Sequence, residues 1–141
     1  MHVSFALFAD AANLSQEGKL NILGVFDAVH VAAFPSVHPR ATLVVRLKGT
    51  PADSGVHSMA LRWINPDGKE LWSSNAEITV GAPPGTVGEL DMPVIAAVDL
   101  PLDAAGDYEM LVDLDGEQHA DVVLHVRGGA PQARPMGGLV S

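Results

Sequence analysis

Apolar residues in this chain come in short runs, and Gly, Pro, Asn or Asp cuts nearly all of them before they reach helical length. Val, Ile and Leu dominate the runs, with no sustained repeat every three to four residues. Side chains must then alternate across pleated strands instead of lining one stripe of a helix. Many short strands with closely spaced breakers make an all-β fold, a sandwich or a barrel. Strands are predicted over Val3–Ala9, Lys19–Phe26, Ala28–Ala33, Ala41–Lys48, His57–Ile64, Lys69–Ser73, Ala76–Val80, Thr86–Val98, Asp107–Asp113 and Glu117–Arg127. Only Asp10–Leu14 and Asp103–Ala105 have the alanine content for a short helical turn. Phe34–Pro39 is read as a connection, because two prolines cannot both sit in a central strand. Gly81-Ala82-Pro83-Pro84-Gly85 is a second connection.

Two hairpins can be laid out residue by residue. In Asn65-Pro66-Asp67-Gly68-Lys69, Pro66 presets the first turn position and Gly68 takes the left-handed conformation that closes a three-residue loop. With Asn65 opposite Lys69, Trp63 is expected opposite Leu71, Ile64 opposite Glu70 and Arg62 opposite Trp72. For Asp113-Leu114-Asp115-Gly116-Glu117 a two-residue Asp-Gly turn mixes apolar and polar faces, since a one-residue slip flips every side chain. The expectation is a three-residue loop with Met110 opposite Ala120 and Tyr108 opposite Val122. Upstream, Leu102…Gly106-Asp107-Tyr108 has the spacing of a tyrosine corner, in which a hydroxyl at the start of a strand bonds backbone a few residues earlier. With two antiparallel hairpins it favours an immunoglobulin-like antiparallel β-sandwich of Greek-key type over a closed barrel.

With 141 residues, 48% of them hydrophobic and 18% charged, the chain can form one domain around a real core. It has no cysteine, hence no disulfide and no thiolate metal site. Residues 1–127 are read as the sandwich domain and 128–141, rich in Gly and Pro, as a flexible C-terminal tail. The formal charge is −9, from 17 acidic against 8 basic residues. Such a surface repels phosphate backbones and anionic lipids, so nucleic acid and membrane are set aside as partners. The start lacks the basic segment and cleavage site of a signal peptide, and no run approaches the ~18 apolar residues of a membrane span. A cytoplasmic setting is the expectation.

The most distinctive strings are Phe5-Ala6-Leu7-Phe8-Ala9-Asp10, Gly18-Lys19-Leu20 through Gly24-Val25-Phe26-Asp27, Phe34-Pro35 with His38-Pro39, and Leu43-Val44-Val45-Arg46-Leu47. Together they resemble a family of short bacterial proteins of unknown function that share the pattern FALxxD…GKLxxxGxFD…FPxxHP…LxxRL. Asn65-Pro66-Asp67-Gly68 and Gly106-Asp107-Tyr108 are similar to it too, so the resemblance spans nearly all but the tail. It implies a sandwich fold in a bacterial, cytoplasmic protein, and no activity. On physical grounds Asp10 can cap a turn at a strand end, Gly24 permits a bulge or close packing, and Asp27 marks another strand end.

No catalytic set emerges from the polar residues. His119, Asp121 and His125 fall on one strand, outside with Val123 and Arg127 while Ala120, Val122, Leu124 and Val126 face in. The two histidines are then ~20 Å apart, too far for one metal. His38 sits in the Phe34–Pro39 connection with no partner fixed by spacing. There is no Gly-x-Ser-x-Gly elbow among Ser54, Ser58, Ser73 and Ser74, and Gly81–Gly85 lacks the residues of a phosphate loop. Asp113 and Asp115 lie at an exposed turn, where burial cannot tune a pKa. Aromatics are only 5%, and the first hairpin leaves Trp72, beside Arg62, on an outer face. The segment Val94-Ile95-Ala96-Ala97-Val98 is too apolar for a strand with one solvated side. It is read first as covered on both sides within the monomer, and second as an interaction face.

The reading that follows is a non-enzymatic binding or scaffolding module without cofactor or metal, acting through a sheet face or loop edge. Its interaction surface would include Trp72, Arg62, Phe34 and His38, toward a protein partner that could be a second copy. The alternative is a metal-, glycan- or small-molecule-binding protein or enzyme using Asp10, Asp27 and His38. A glycan or small molecule would need a groove beside Trp72.

Overall fold

The computed structural model describes residues 1–82, 85 and 87–128. Among these, nine strands run β1 (His2–Leu14), β2 (Leu20–Phe26), β3 (Ala28–Val31), β4 (Ser36–Gly49), β5 (Gly55–Ile64), β6 (Glu70–Val80), β7 (Leu90–Leu102), β8 (Gly106–Leu114) and β9 (Glu117–Gly128). They form two sheets, ordered β2-β1-β4-β7 and β3-β9-β8-β5-β6. Hairpins join β1 to β2, β5 to β6 and β8 to β9, and the other connections pass between sheets. They bring β7 back beside β4 and β8 beside β5, as a Greek key requires. The fold is an immunoglobulin-like β-sandwich.

The alternation read from the sequence builds the core. Phe8, Leu43, Val45, Leu47, Leu100 and Leu102 face in from the first sheet, and Trp63, Tyr108, Met110, Val112, Leu124 and Val126 from the second. Trp63 is the hub. Its ring meets Phe8 edge-on at 6.0 Å and stacks on Tyr108 at 5.2 Å, and its Nε1–H donates to the Pro101 carbonyl at 2.9 Å. The tyrosine corner is present: the Tyr108 hydroxyl accepts from the N–H groups of Asp103 and Ala104, each at 2.9 Å, and donates to the Asp103 carboxylate at 2.7 Å. Asn65, buried, donates to the other oxygen of Asp103 at 2.9 Å and accepts from the N–H groups of Asp67 and Lys69. One polar network therefore locks the β5–β6 turn to the β7–β8 turn. Hydrogen bonds from Tyr108 and then Asn65 hold the Asp103 carboxyl below its usual range.

Several expectations are corrected by β-bulges. The Asn65–Lys69 loop is as predicted, with Gly68 left-handed at φ 86 and Ile64 opposite Glu70. A bulge at Leu71 then shifts the partner strand, so Trp63 faces Trp72 and Arg62 faces Ser73. At the other hairpin the two-residue turn wins. Asp115 and Gly116 both have positive φ, 50 and 85, and Leu114 pairs with Glu117. A bulge at His119 restores the faces, pairing Met110 with Val122 and Tyr108 with Leu124. The residue count that seemed to demand a longer loop is supplied inside the strand instead.

Other differences have similar causes. Four of the six residues of the Phe34–Pro39 connection are strand: β4 starts at Ser36 and absorbs Pro39 at a register shift between His38 and Ala41. There Arg40 has φ 53 and donates its N–H to Asp99 at 2.9 Å. Lys69–Ser73 and Ala76–Val80 fall in one strand, and β7 begins at Leu90, while Thr86, where the predicted strand starts, lies outside the described residues. Asp10–Leu14 continues β1, so Asp10 caps no turn; it lies against Gly24, where a Cβ would collide with its carboxylate. The sandwich is also not wholly antiparallel, because β3 pairs parallel with β9. Gly128 closes β9, and the remainder of the expected tail lies outside the described residues.

Candidate functional site

The two sheets present very different outer faces, and alternation dictates both. With Phe8, Leu43 and Ala96 turned inward, their neighbours Leu7, Val44 and Ile95 form one outward row across β1, β4 and β7. Ala9 pairs with Val25, and Ala11 with Leu23, extending the apolar surface onto β2. Leu23, Val25 and Ile95 are exposed by 68%, 61% and 37%, and Ala97 is exposed beside them. Ile95 and Ala97 thus overturn the expectation that Val94–Val98 is covered on both sides in the monomer. Charge at the rim of this face is matched. Arg46 holds Asp91 with two donors, one at 2.9 Å, and Lys48 meets Glu89 at 3.3 Å. The guanidinium keeps the Asp91 carboxyl below its ordinary pKa.

The outer face of the second sheet is acidic. Asp107, Glu109, Asp113 and Asp121 point out from β8 and β9, among Arg62, His125 and Arg127. Arg62 grips Asp113 at 2.7 and 3.2 Å, and His125 meets Asp107 at 2.7 Å. Burial, and then a shared proton contact with Asp121, raises the Glu109 carboxyl. His119, displaced by its bulge, approaches Glu117 at 3.9 Å. The three polar residues of β9 therefore serve separate partners. No group of three or more His, Asp or Glu with metal-binding geometry occurs among the described residues.

The structure does not gather Trp72, Arg62, Phe34 and His38 into one surface. Trp72, expected outside next to Arg62, faces inward because of the Leu71 bulge and donates its Nε1–H to the Asp99 carbonyl at 3.2 Å. Phe34 packs against Gly128, and the His38 ring lies 5.4 Å from that of Phe26. Trp72 does line a groove at the seam between β6 and β7, of about 360 Å³, with Leu61, Ser74, Ala96, Val98 and Asp99. Of the alternative set, Asp10 sits over Gly24, and Asp27 ends β2, its carbonyl accepting from His125 N–H at 2.7 Å.

One cluster escaped sequence reasoning. His57 Nδ1 lies 2.7 Å from the Asp115 carboxylate and its Nε2 lies 2.6 Å from the Asp53 carbonyl. Both partners are acceptors, an arrangement that favours the protonated ring. The Asp115 hydrogen bond, followed by that to Asp53, raises its pKa. Asp115, far from being an idle turn residue, also accepts from Ser58 N–H at 2.9 Å, and its carboxyl is lowered by His57 first and Ser58 second. No spacing in the sequence signals this pair, because 58 positions separate its members. The outer apolar face, by contrast, did have a signal, in the uninterrupted runs Phe5–Ala9, Leu43–Val45 and Val94–Val98.

Fold and face together define a β-sandwich protein of immunoglobulin-like type with an apolar outer sheet. The chain belongs to DUF6941, a family of unknown function whose model matches residues 4–127. No curated protein matches it. Among solved structures it is similar to an immunoglobulin-like protein (PA1606) from Pseudomonas aeruginosa, at 12% identity over 89% of this chain and 95% of that one, with a TM-score of 0.42.

Proposed function

We propose that this protein is a non-enzymatic binding module whose contact surface is the outer face of β2-β1-β4-β7. One observation carries the reading: Leu23 and Val25 on β2 and Ile95 on β7 leave large aliphatic side chains in water on a sheet face, on either side of the half-buried Leu7 and the fully covered Val44. Aliphatic side chains left in water across a sheet face are what interaction sites expose. A photo-cross-linking residue at position 25 or 95, in cells producing the chain, is expected to capture a protein. The same residue at position 75, on the outer side of β6, is expected to capture none. Equal capture from all three positions, or from none, removes this reading.

A second reading has the Trp72 groove in its favour, since a small-molecule module needs one there. It is lined mainly by apolar groups, with the Ser74 hydroxyl and Asp99 as polar handles. An apolar dye such as 1-anilinonaphthalene-8-sulfonate would bind saturably and lose binding on Ala96→Trp, which fills the groove. Dye uptake that Ala96→Trp leaves intact excludes it.

A further inference from the structure

We infer that the partner of the β2-β1-β4-β7 face is a second copy of this chain, packed face to face about a two-fold axis. The inference rests on reading that face as a contact surface, and it adds which molecule covers it.

Charge provides the first argument. A molecule of formal charge −9 repels its own copies through most of its surface. The second sheet is the worst place to join, since Asp107, Glu109, Asp113 and Asp121 would meet their equals. On the first sheet the centre is uncharged; one end carries Arg46 with Asp91 and Lys48 with Glu89, two positive and two negative groups, and at the other end the Asp99 carboxylate accepts from Arg40 N–H. A two-fold interface must be complementary to itself. An apolar centre with charge-matched pairs at one end satisfies that condition better than the acidic second sheet does.

Size provides the second. β1, β4 and β7, with 13, 14 and 13 residues, and the seven-residue β2, at a rise of about 3.3 Å and a spacing of about 4.8 Å, give a footprint on the order of 700 Å². Each partner in a standard-size interface contributes about that area. Twisted sheets stack face to face at about 10 Å, so two such faces can interdigitate Leu7, Val25 and Ile95 as sandwich layers do.

Sedimentation equilibrium of the full chain tests this. A dimer is expected, and raising salt from ~50 to ~500 mM should tighten it, because screening relieves repulsion between acidic subunits while apolar contact persists. The double substitution Val25→Glu and Ile95→Glu should weaken dimerisation by at least roughly 100-fold. Val56→Glu, at an exposed valine on β5 of the other sheet, should leave it unchanged. A monomer at every concentration and salt overturns the inference, as does a dimer that salt weakens or that the double variant retains with a native circular-dichroism spectrum. If position 95 captures a different protein while the chain stays monomeric, the contact-surface reading stands and this inference falls. If neither is found, both fall.

Discussion

Gly106 shows how tightly single positions are constrained. It has φ 140, and a Cβ there would stand 2.6 Å from Pro66 Cγ, at the junction the Tyr108–Asp103–Asn65 network locks. Gly106→Ala is expected to cost roughly 1–3 kcal/mol or more in urea unfolding, since strain and overlap coincide. Tyr108→Phe leaves the N–H groups of Asp103 and Ala104 without their acceptor, and about 1–3 kcal/mol should follow. His57 makes a prediction in pH. Its folded pKa lies above the unfolded value near 6.5, so its contribution is complete below about pH 6.5 and lost as pH rises through the folded pKa. Asp115, with its folded pKa lowered, contributes above about pH 3.9 and fails as pH falls through the lower folded value. Thermal midpoints measured from pH 5 to 9 should decline on the alkaline side, and His57→Gln should remove that part of the decline.

Elements differ in how they are held, and this predicts where the molecule opens. β1, β4, β5, β8 and β9 are flanked on both sides, with β8 at the centre of the five-stranded sheet, whereas β2, β7, β3 and β6 are edges. Amide exchange should be slowest in β4 and β8 and fastest in the four-residue β3; equal protection across β3 and β4 would contradict this. At the same scale lies the boundary of what sequence could tell. The tyrosine corner and the Pro66–Gly68 loop were legible because their partners are four or five residues apart or joined by one turn. The bulges at Leu71 and His119 were not, because a bulge is chosen by packing against strands distant in sequence. Trp72 was misplaced for that reason alone. The apolar outer face was half legible: Val94–Val98 announced itself, but only the strand order could say that Ile95 finds no cover.

For the whole molecule, both sheets share one core through Trp63, Phe8 and Tyr108, so unfolding should be a single cooperative event. Leu43→Ala, at a fully buried site, should lower stability by about 2–5 kcal/mol. Circular dichroism and tryptophan fluorescence should report the same midpoint, and separated transitions would reveal two independent halves.

The parallel pairing of β3 with β9 joins Ala28 to His125, near opposite ends of the described chain. During vectorial synthesis β1 and β2 can form their hairpin early, but β3 has nothing to dock on until residues 117–128 have left the ribosome. Until then the nascent chain leaves the aliphatic side chains of β3 without the strand they pair with. This end of the second sheet therefore closes only once the last described strand has arrived.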